Sequence, residues 1–191
     1  KHQKALFDKG LPKEAELIFK NGTWYFNLVV ELTTPKRSPS NKVMGVDLGE
    51  NNIAATSTGK LIGGGKLRYD RDRFLAIRRR LQRNGSQSAK QLLKRLSGKE
   101  ARHVTQVNHQ GANAVIAEAI EHNIGVIALE KLTNIRKRIK ACKRVRDRLH
   151  RWSWYQLQTF IEYKAEAVGI EVIYVNPANS SKTCNKGGAI A

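Results

Sequence analysis

The sequence predicts an α/β fold: a mixed sheet of about five strands carrying a long basic helical hairpin as an insertion, with a separate β-hairpin ahead of it. Three observations carry this reading. Short β-rich runs with turn residues between them occupy 43–67, apolar residues then recur at three-to-four spacing from 69 to 123, and two further apolar runs flank one more helix-period stretch. The order is β-β-β-α-(α)-β-α-β, and a meander followed by βαβ connections makes a mixed sheet with helices on its faces.

Residues 14–35 read as the first hairpin. Glu16–Phe19 and Trp24–Val30 flank Lys20-Asn21-Gly22-Thr23, and Asn-Gly is the preferred dipeptide of a two-residue β-turn. Thr33–Asn41 has the Pro- and Ser-rich composition of a linker, so a boundary near 41 separates units 1–41 and 42–178. Strands follow at Val43–Leu48, Ile53–Thr58 and Leu61–Leu67. From about Tyr69 the period is helical, through Leu75, Leu81, Leu92, Leu96, Val107, Val115 and Ile116. Asn84-Gly85-Ser86 interrupts it, with Ser86 or Ser88 able to cap a second helix that ends near Asn123, with Gly125 just beyond. Val126–Leu129 suits a buried strand. The basic stretch Asn134–Arg151 reads as a loop, about Trp152–Val168 as a third helix ending at Gly169, and Glu171–Val175 as a last strand stopped by Pro177. Asn179–Ala191 is small and polar.

Charge bounds the function. Of 191 residues, 35 are Lys or Arg and 16 are Asp or Glu, a net +19 that implies a polyanionic partner. No apolar run approaches the ~20 residues of a spanning helix, and no signal core follows the basic start, which leaves nucleic acid ahead of a membrane and points to the cytoplasm. Two cysteines, Cys142 and Cys184, make no disulfide framework.

Two strand ends carry the candidate chemistry. In Gly45-Val46-Asp47-Leu48-Gly49 a carboxylate closes an apolar strand between residues without side chains, and Val126-Ile127-Ala128-Leu129-Glu130 repeats the pattern. A lone strand-end acid is as often a turn cap as a ligand. If the two strands lie parallel and adjacent, however, Asp47 and Glu130 meet at one edge, where oxygen ligands can hold Mg²⁺ or Mn²⁺. Such carboxylates serve phosphodiester hydrolysis with two metal ions, and most sites of this kind use a third.

Arg78, Arg79, Arg80 and Arg83 on the first helical arm and Lys94, Arg95 and Arg102 on the second are barely offset by acids. Lys137, Arg138 and Arg144 continue the run in the loop. Phosphate-backbone contact explains this better than a solvated face of mixed sign. Trp152, Trp154 and Phe160 read as core anchors rather than stacking platforms, and His103 and His109 are not expected to bind metal. Asn108-His109 is a weaker candidate for a polar contact near the carboxylates. At Cys184 a zinc knuckle would need a second Cys at 187, which is Gly187.

Taken together, these motifs resemble the C-terminal, RuvC-like nuclease region of the TnpB (OrfB) proteins of bacterial and archaeal transposons, relatives of the compact type V CRISPR nucleases. Gly45–Gly49 looks like the family's first RuvC motif and Ile127–Leu132 like its second. Val107–His109, Trp152–Tyr163 and Val175–Cys184 resemble its connecting segments in order. The resemblance implies a ribonuclease H-like fold without its final helix. It also implies a DNA endonuclease guided by RNA in the intact protein, with Asp47 and Glu130 as catalytic, metal-binding carboxylates. Its partners would be DNA and a guide RNA, with no membrane and no small-molecule substrate. The hairpin at 14–35 would end the domain that grips guide and target, and the arginines around 78–83 would lie near the duplex. In the family, further Cys residues complete a zinc ribbon and an Asp on a closing helix supplies the third carboxylate. In this sequence Gly187 stands where the second Cys belongs and Cys184 is vestigial, so 179–191 reads as a ribbon remnant without Zn²⁺. The expectation is a truncated chain impaired in cleavage, or a non-catalytic nucleic-acid-binding remnant. A rival reading as an actin/Hsp70-like phosphotransferase lacks a second phosphate loop in the right place.

Overall fold

A computed structural model describes residues 4, 7–20, 22–33, 35–132 and 153–176. The chain divides into two compact units, Lys1–Lys36 and Arg37–Ala191.

In the first unit, β1 (Leu11–Lys20) pairs antiparallel with β2 (Thr23–Glu31), and Lys20 lies opposite Thr23 across the turn. Alternation sorts the side chains. Ala15, Leu17 and Phe19 face Leu28, Phe26 and Trp24 on one side, while Glu14, Glu16 and Ile18 sit opposite Val29, Asn27 and Tyr25 on the other. The Phe19 and Trp24 rings lie 4.8 Å apart, a cross-strand aromatic pair of the kind that fixes register.

The second unit is built on a five-stranded sheet of order β5-β4-β3-β6-β7. Its strands are β3 (Val43–Asp47), β4 (Asn52–Thr56), β5 (Leu61–Gly63), β6 (Val126–Glu130) and β7 (Glu171–Val175). The meander β3-β4-β5 is antiparallel, whereas β6 runs parallel to both β3 and β7, so the sheet is mixed. Between β5 and β6 come α1 (Gly65–Asn84) and the 35-residue α2 (Gln87–Glu121), and α3 (Trp154–Glu166) connects β6 to β7.

The core forms on one face of the sheet. Met44 and Val46 of β3 and Ile127 and Leu129 of β6 pack with Ala112, Val115, Ile116 and Ala119 of α2 and with Leu157, Ile161 and Ala165 of α3. Positions one residue out of phase, Val43, Gly45 and Asp47 on β3 and Val126, Ala128 and Glu130 on β6, are half-buried or exposed. A strand's period of two thus separates the packing row from the row that ends in the carboxylates.

Three local expectations change. The third strand stops at Gly63 instead of Leu67, because the chain turns at Gly64 and Leu67 enters the core from the first turn of α1. The second helix ends at Glu121, and Asn123, with φ of 52°, takes the left-handed position after it. Finally, residues from Ser38 onward are laced to the domain. The Ser38 amide donates to the Gly169 carbonyl at 2.8 Å, the Ser40 hydroxyl to the Asn123 carbonyl at 2.6 Å, and the Gly125 and Val126 amides to the Lys42 carbonyl. Proline and serine here shape an anchored extended segment. The Ser86 cap is present, its hydroxyl accepting from the Ala89 amide at 3.2 Å. The basic loop and the chain beyond Asn176 lie outside the described residues.

Candidate functional site

Strand register brings the two acids together. Val43 pairs with Val126, Met44 with Ile127, Gly45 with Ala128 and Val46 with Leu129, so the next step of the same parallel ladder sets Asp47 beside Glu130. Paired positions on parallel strands project to the same face, and neighbouring strands lie about 4.8 Å apart. Both carboxylates therefore stand at the C-terminal end of the parallel strands, on the face away from the core. Asp47 is exposed and Glu130 half-buried. Ahead of them in the same rows, Gly45 and Ala128 present almost no side chain. On the far flanks, Ala55 lies opposite Asp47 and Val175 opposite Glu130.

Each strand end is held from behind. Gln158, buried on α3, donates to the Glu130 carbonyl at 2.7 Å, and the Lys131 amide donates to the Val175 carbonyl. Beyond Asp47, the Gly49 amide reaches the Asn52 carbonyl at 3.1 Å, and the Gly64 amide reaches that of Asn51 at 2.8 Å. A Cβ on Gly64 would lie 2.7 Å from the Glu50 carbonyl oxygen, so only glycine lets β5 turn into α1 this close to the loop after Asp47. A hydrogen-bonded junction joins the helices. Asn108, 2% exposed on α2, donates to the Ser153 hydroxyl at 2.8 Å and to the Gln156 side-chain oxygen at 2.7 Å, and buried Arg71 of α1 donates to the same hydroxyl.

The expected binding residues separate into three groups. Arg79, Arg80, Arg83, Lys94, Arg95 and Arg102 are exposed along the two arms. Arg78 is half-buried and ion-paired to Glu100 across the hairpin, which commits it first to holding the arms together. Lys137, Arg138, Arg144 and Cys184 lie outside the described residues. Trp154 is buried in the core, and Phe160 stacks on His109 with ring centroids 3.9 Å apart. Burial, then the charge of Lys164, holds the His109 imidazole below its ordinary pKa. His103 pairs with Asp70 of α1.

Among the described residues, no group of three or more His, Cys, Asp or Glu side chains could hold a metal. Carboxylates are nonetheless hard-oxygen donors of the kind that Mg²⁺ and Mn²⁺ take. Sequence reasoning missed Gln158 and Ser153, and Arg71, which belongs to the basic run expected to face phosphate, is instead buried against Ser153. Gln158 was the most legible, a polar residue within the apolar stripe Trp154–Leu157–Ile161–Ala165. Among the described residues, no helix is long and apolar enough to cross a membrane.

The fold and site define an α/β mixed-sheet domain with carboxylates at the ends of two adjacent parallel strands and a basic helical hairpin inserted in the chain between them. Residues 27–136 match the OrfB_IS605 family, described as a probable transposase, and residues 154–190 match the Cas12f1-like TNB domain. The chain belongs to the TnpB/OrfB family. It is 36% identical over 154 residues to the TnpB-like protein MJ0751 of Methanocaldococcus jannaschii, covering 74% of this chain and 55% of that protein. To the CRISPR-associated endodeoxyribonuclease Cas12f1 of Syntrophomonas palmitatica it is 31% identical over 188 residues, 88% of this chain and 36% of the relative. The chain therefore spans about a third to a half of the length of these relatives. In structure it is similar to Cas12f1 in a cryo-EM complex with sgRNA and target DNA. The TM-score is 0.64 at 22% identity, over 92% of this chain and 45% of the other, a likeness of fold.

Proposed function

We propose that this chain carries the RuvC-like, ribonuclease H-type nuclease domain of a transposon-associated, RNA-guided DNA endonuclease. Asp47 and Glu130 would hold Mg²⁺ or Mn²⁺ there. What supports the reading is the parallel register of β3 and β6, which runs to Val46–Leu129, the residues just before Asp47 and Glu130. Asp47 and Glu130 would hold the divalent ions, whose chemistry when bound would be to activate a water and steady the leaving oxygen of a phosphodiester. The chain's own part is geometric. Asp47 and Glu130 present oxygens from rigid strands, Gln158 fixes the Glu130 backbone, and the small side chains of Gly45 and Ala128 let a sugar-phosphate strand approach. The exposed arginines and lysines of α1 and α2 contact phosphates of DNA or of a guide duplex, independent of sequence.

The test compares cutting of fluorescent DNA with Mn²⁺ by the wild type, Asp47→Ala and Glu130→Ala, alongside Mn²⁺ binding followed by electron paramagnetic resonance. Both substitutions should weaken Mn²⁺ binding and remove any cutting. Cutting that survives Asp47→Ala, or Mn²⁺ binding that neither substitution changes, refutes the assignment. A second reading, a nucleic-acid-binding protein without cleavage, is favoured by the two-carboxylate set among the described residues together with the basic arms. Tight DNA binding without Asp47-dependent cutting supports it.

A further inference from the structure

A cavity of about 310 Å³ opens between the two arms of the helical hairpin, and neither Asp47 nor Glu130 lines it. Its walls follow from helical spacing. Asp70, Arg73, Phe74 and Ile77 share one stripe of α1, and Leu96, Lys99 and His103 share the facing stripe of α2. Two side-chain contacts cross between the arms along this stretch. Asp70 lies 3.0 Å from the His103 imidazole, and Arg78 ion-pairs with Glu100.

The lining is divided chemically. Phe74, Ile77 and Leu96 are half-buried and make an apolar floor, Arg73 and Lys99 are exposed, and the half-buried Asp70 carboxylate faces His103, so the lining carries two cations against one acid. Among the described residues, neither cation has a carboxylate partner. The Phe74 and His103 rings are 6.4 Å apart and tilted by 53°, so they splay instead of stacking on each other. An inorganic anion would use the cations and waste the floor. An uncharged apolar ligand would leave both cations idle. An occupant with a flat, partly apolar ring joined to a phosphate uses both, and the volume sits at the small end of ligand pockets, with room for one such unit.

We infer that the cavity between α1 and α2 takes a single unpaired nucleotide of a nucleic-acid strand, its base against Phe74 and its phosphate between Arg73 and Lys99. Bases within a duplex are stacked and paired and cannot enter, so this site discriminates single strands from duplexes while the outer basic residues do not. The inference deepens the nucleic-acid reading above and rests on it.

The experiment measures fluorescence anisotropy of the full chain with labelled 12-nucleotide oligouridylate, 12-nucleotide oligothymidylate and a 12-base-pair DNA duplex at one fixed salt concentration. Phe74→Ala should weaken single-strand binding by roughly 5- to 100-fold and leave duplex binding within about twofold, whereas Phe74→Tyr retains binding. Because Phe74→Ala also thins the contact between the arms, exposed Arg73→Gln with Lys99→Gln serves as the second variant and should weaken single strands more than duplex. An iodouridine-substituted strand should cross-link to the peptides carrying Phe74 or His103. A preference for oligouridylate or for oligothymidylate identifies RNA or DNA as the source, and either supports the site. Equal losses for duplex and single strands, or cross-links elsewhere, overturn it while leaving the nuclease reading intact. Failure to bind any of the three probes overturns both.

Discussion

At the scale of single residues, two positions show how closely the domain is fitted. Gly125 lies beneath the Ser40 carbonyl, which a Cβ would overlap, and the obstacle is backbone, which no side-chain rotation relieves. Gly125→Ala should therefore cost about 1–3 kcal/mol in urea denaturation, as overpacking in a rigid setting does. Glu118 is the second. It is buried on α2, accepts from the Thr58 hydroxyl at 2.7 Å and pairs with Lys60 at 3.2 Å and with His122. The Thr58 hydrogen bond, opposed by burial and aided by Lys60, holds its carboxyl below the ordinary 4.5. A depressed carboxylate pKa contributes stability that is present above the unfolded value and lost as pH falls through the folded one. The melting temperature of the wild type should thus drop below about pH 4.5, and Glu118→Gln should start lower and lose less over the same range. Neither role was legible in the sequence. A glycine after a helix and a glutamate in its last turns are common, and only the fold brings Ser40 and Thr58 against them.

Elements explain what was legible and what was not. The alternation of 43–48 and the apolar run 126–129 mark strands by themselves, and the separation of Asp47 and Glu130 by a helical insertion made a parallel pairing foreseeable. The register of the β3–β6 pairing, Val46 with Leu129, is set by which row faces α2 and α3, a tertiary fact. Leu67 misled because an apolar residue four places after a strand continues the strand pattern as well as it starts a helix. Gly63-Gly64-Gly65 was the better signal, since three glycines weaken a strand and permit a turn. Arg78 and Glu100 link the two arms of the hairpin. In a double-mutant cycle, Arg78→Ala and Glu100→Ala should couple by roughly 0.2–1 kcal/mol, the range for ion pairs that water still reaches. Zero coupling would free Arg78 for phosphate contact alone.

At the scale of the whole molecule, a net charge of +19, to which the basic helical arms contribute, predicts binding that salt controls. Replacing Arg79, Arg80 and Arg83 together with Gln should flatten the slope of log affinity against log salt by about three, one unit per phosphate contact, and by the same amount on unrelated DNA sequences. A slope that does not change would place the nucleic acid elsewhere. The lacing of residues 38–42 onto Gly125 and Gly169 has a further consequence, a mechanical one. It fixes the chain at the N-terminal end of β3, whereas Leu132 leaves from the C-terminal end of β6, its parallel neighbour. A molecule gripped at Arg37 and Leu132 and stretched would carry the load along the strands in shear. All four paired positions from Val43–Val126 to Val46–Leu129 would then have to fail together before the carboxylate edge came apart.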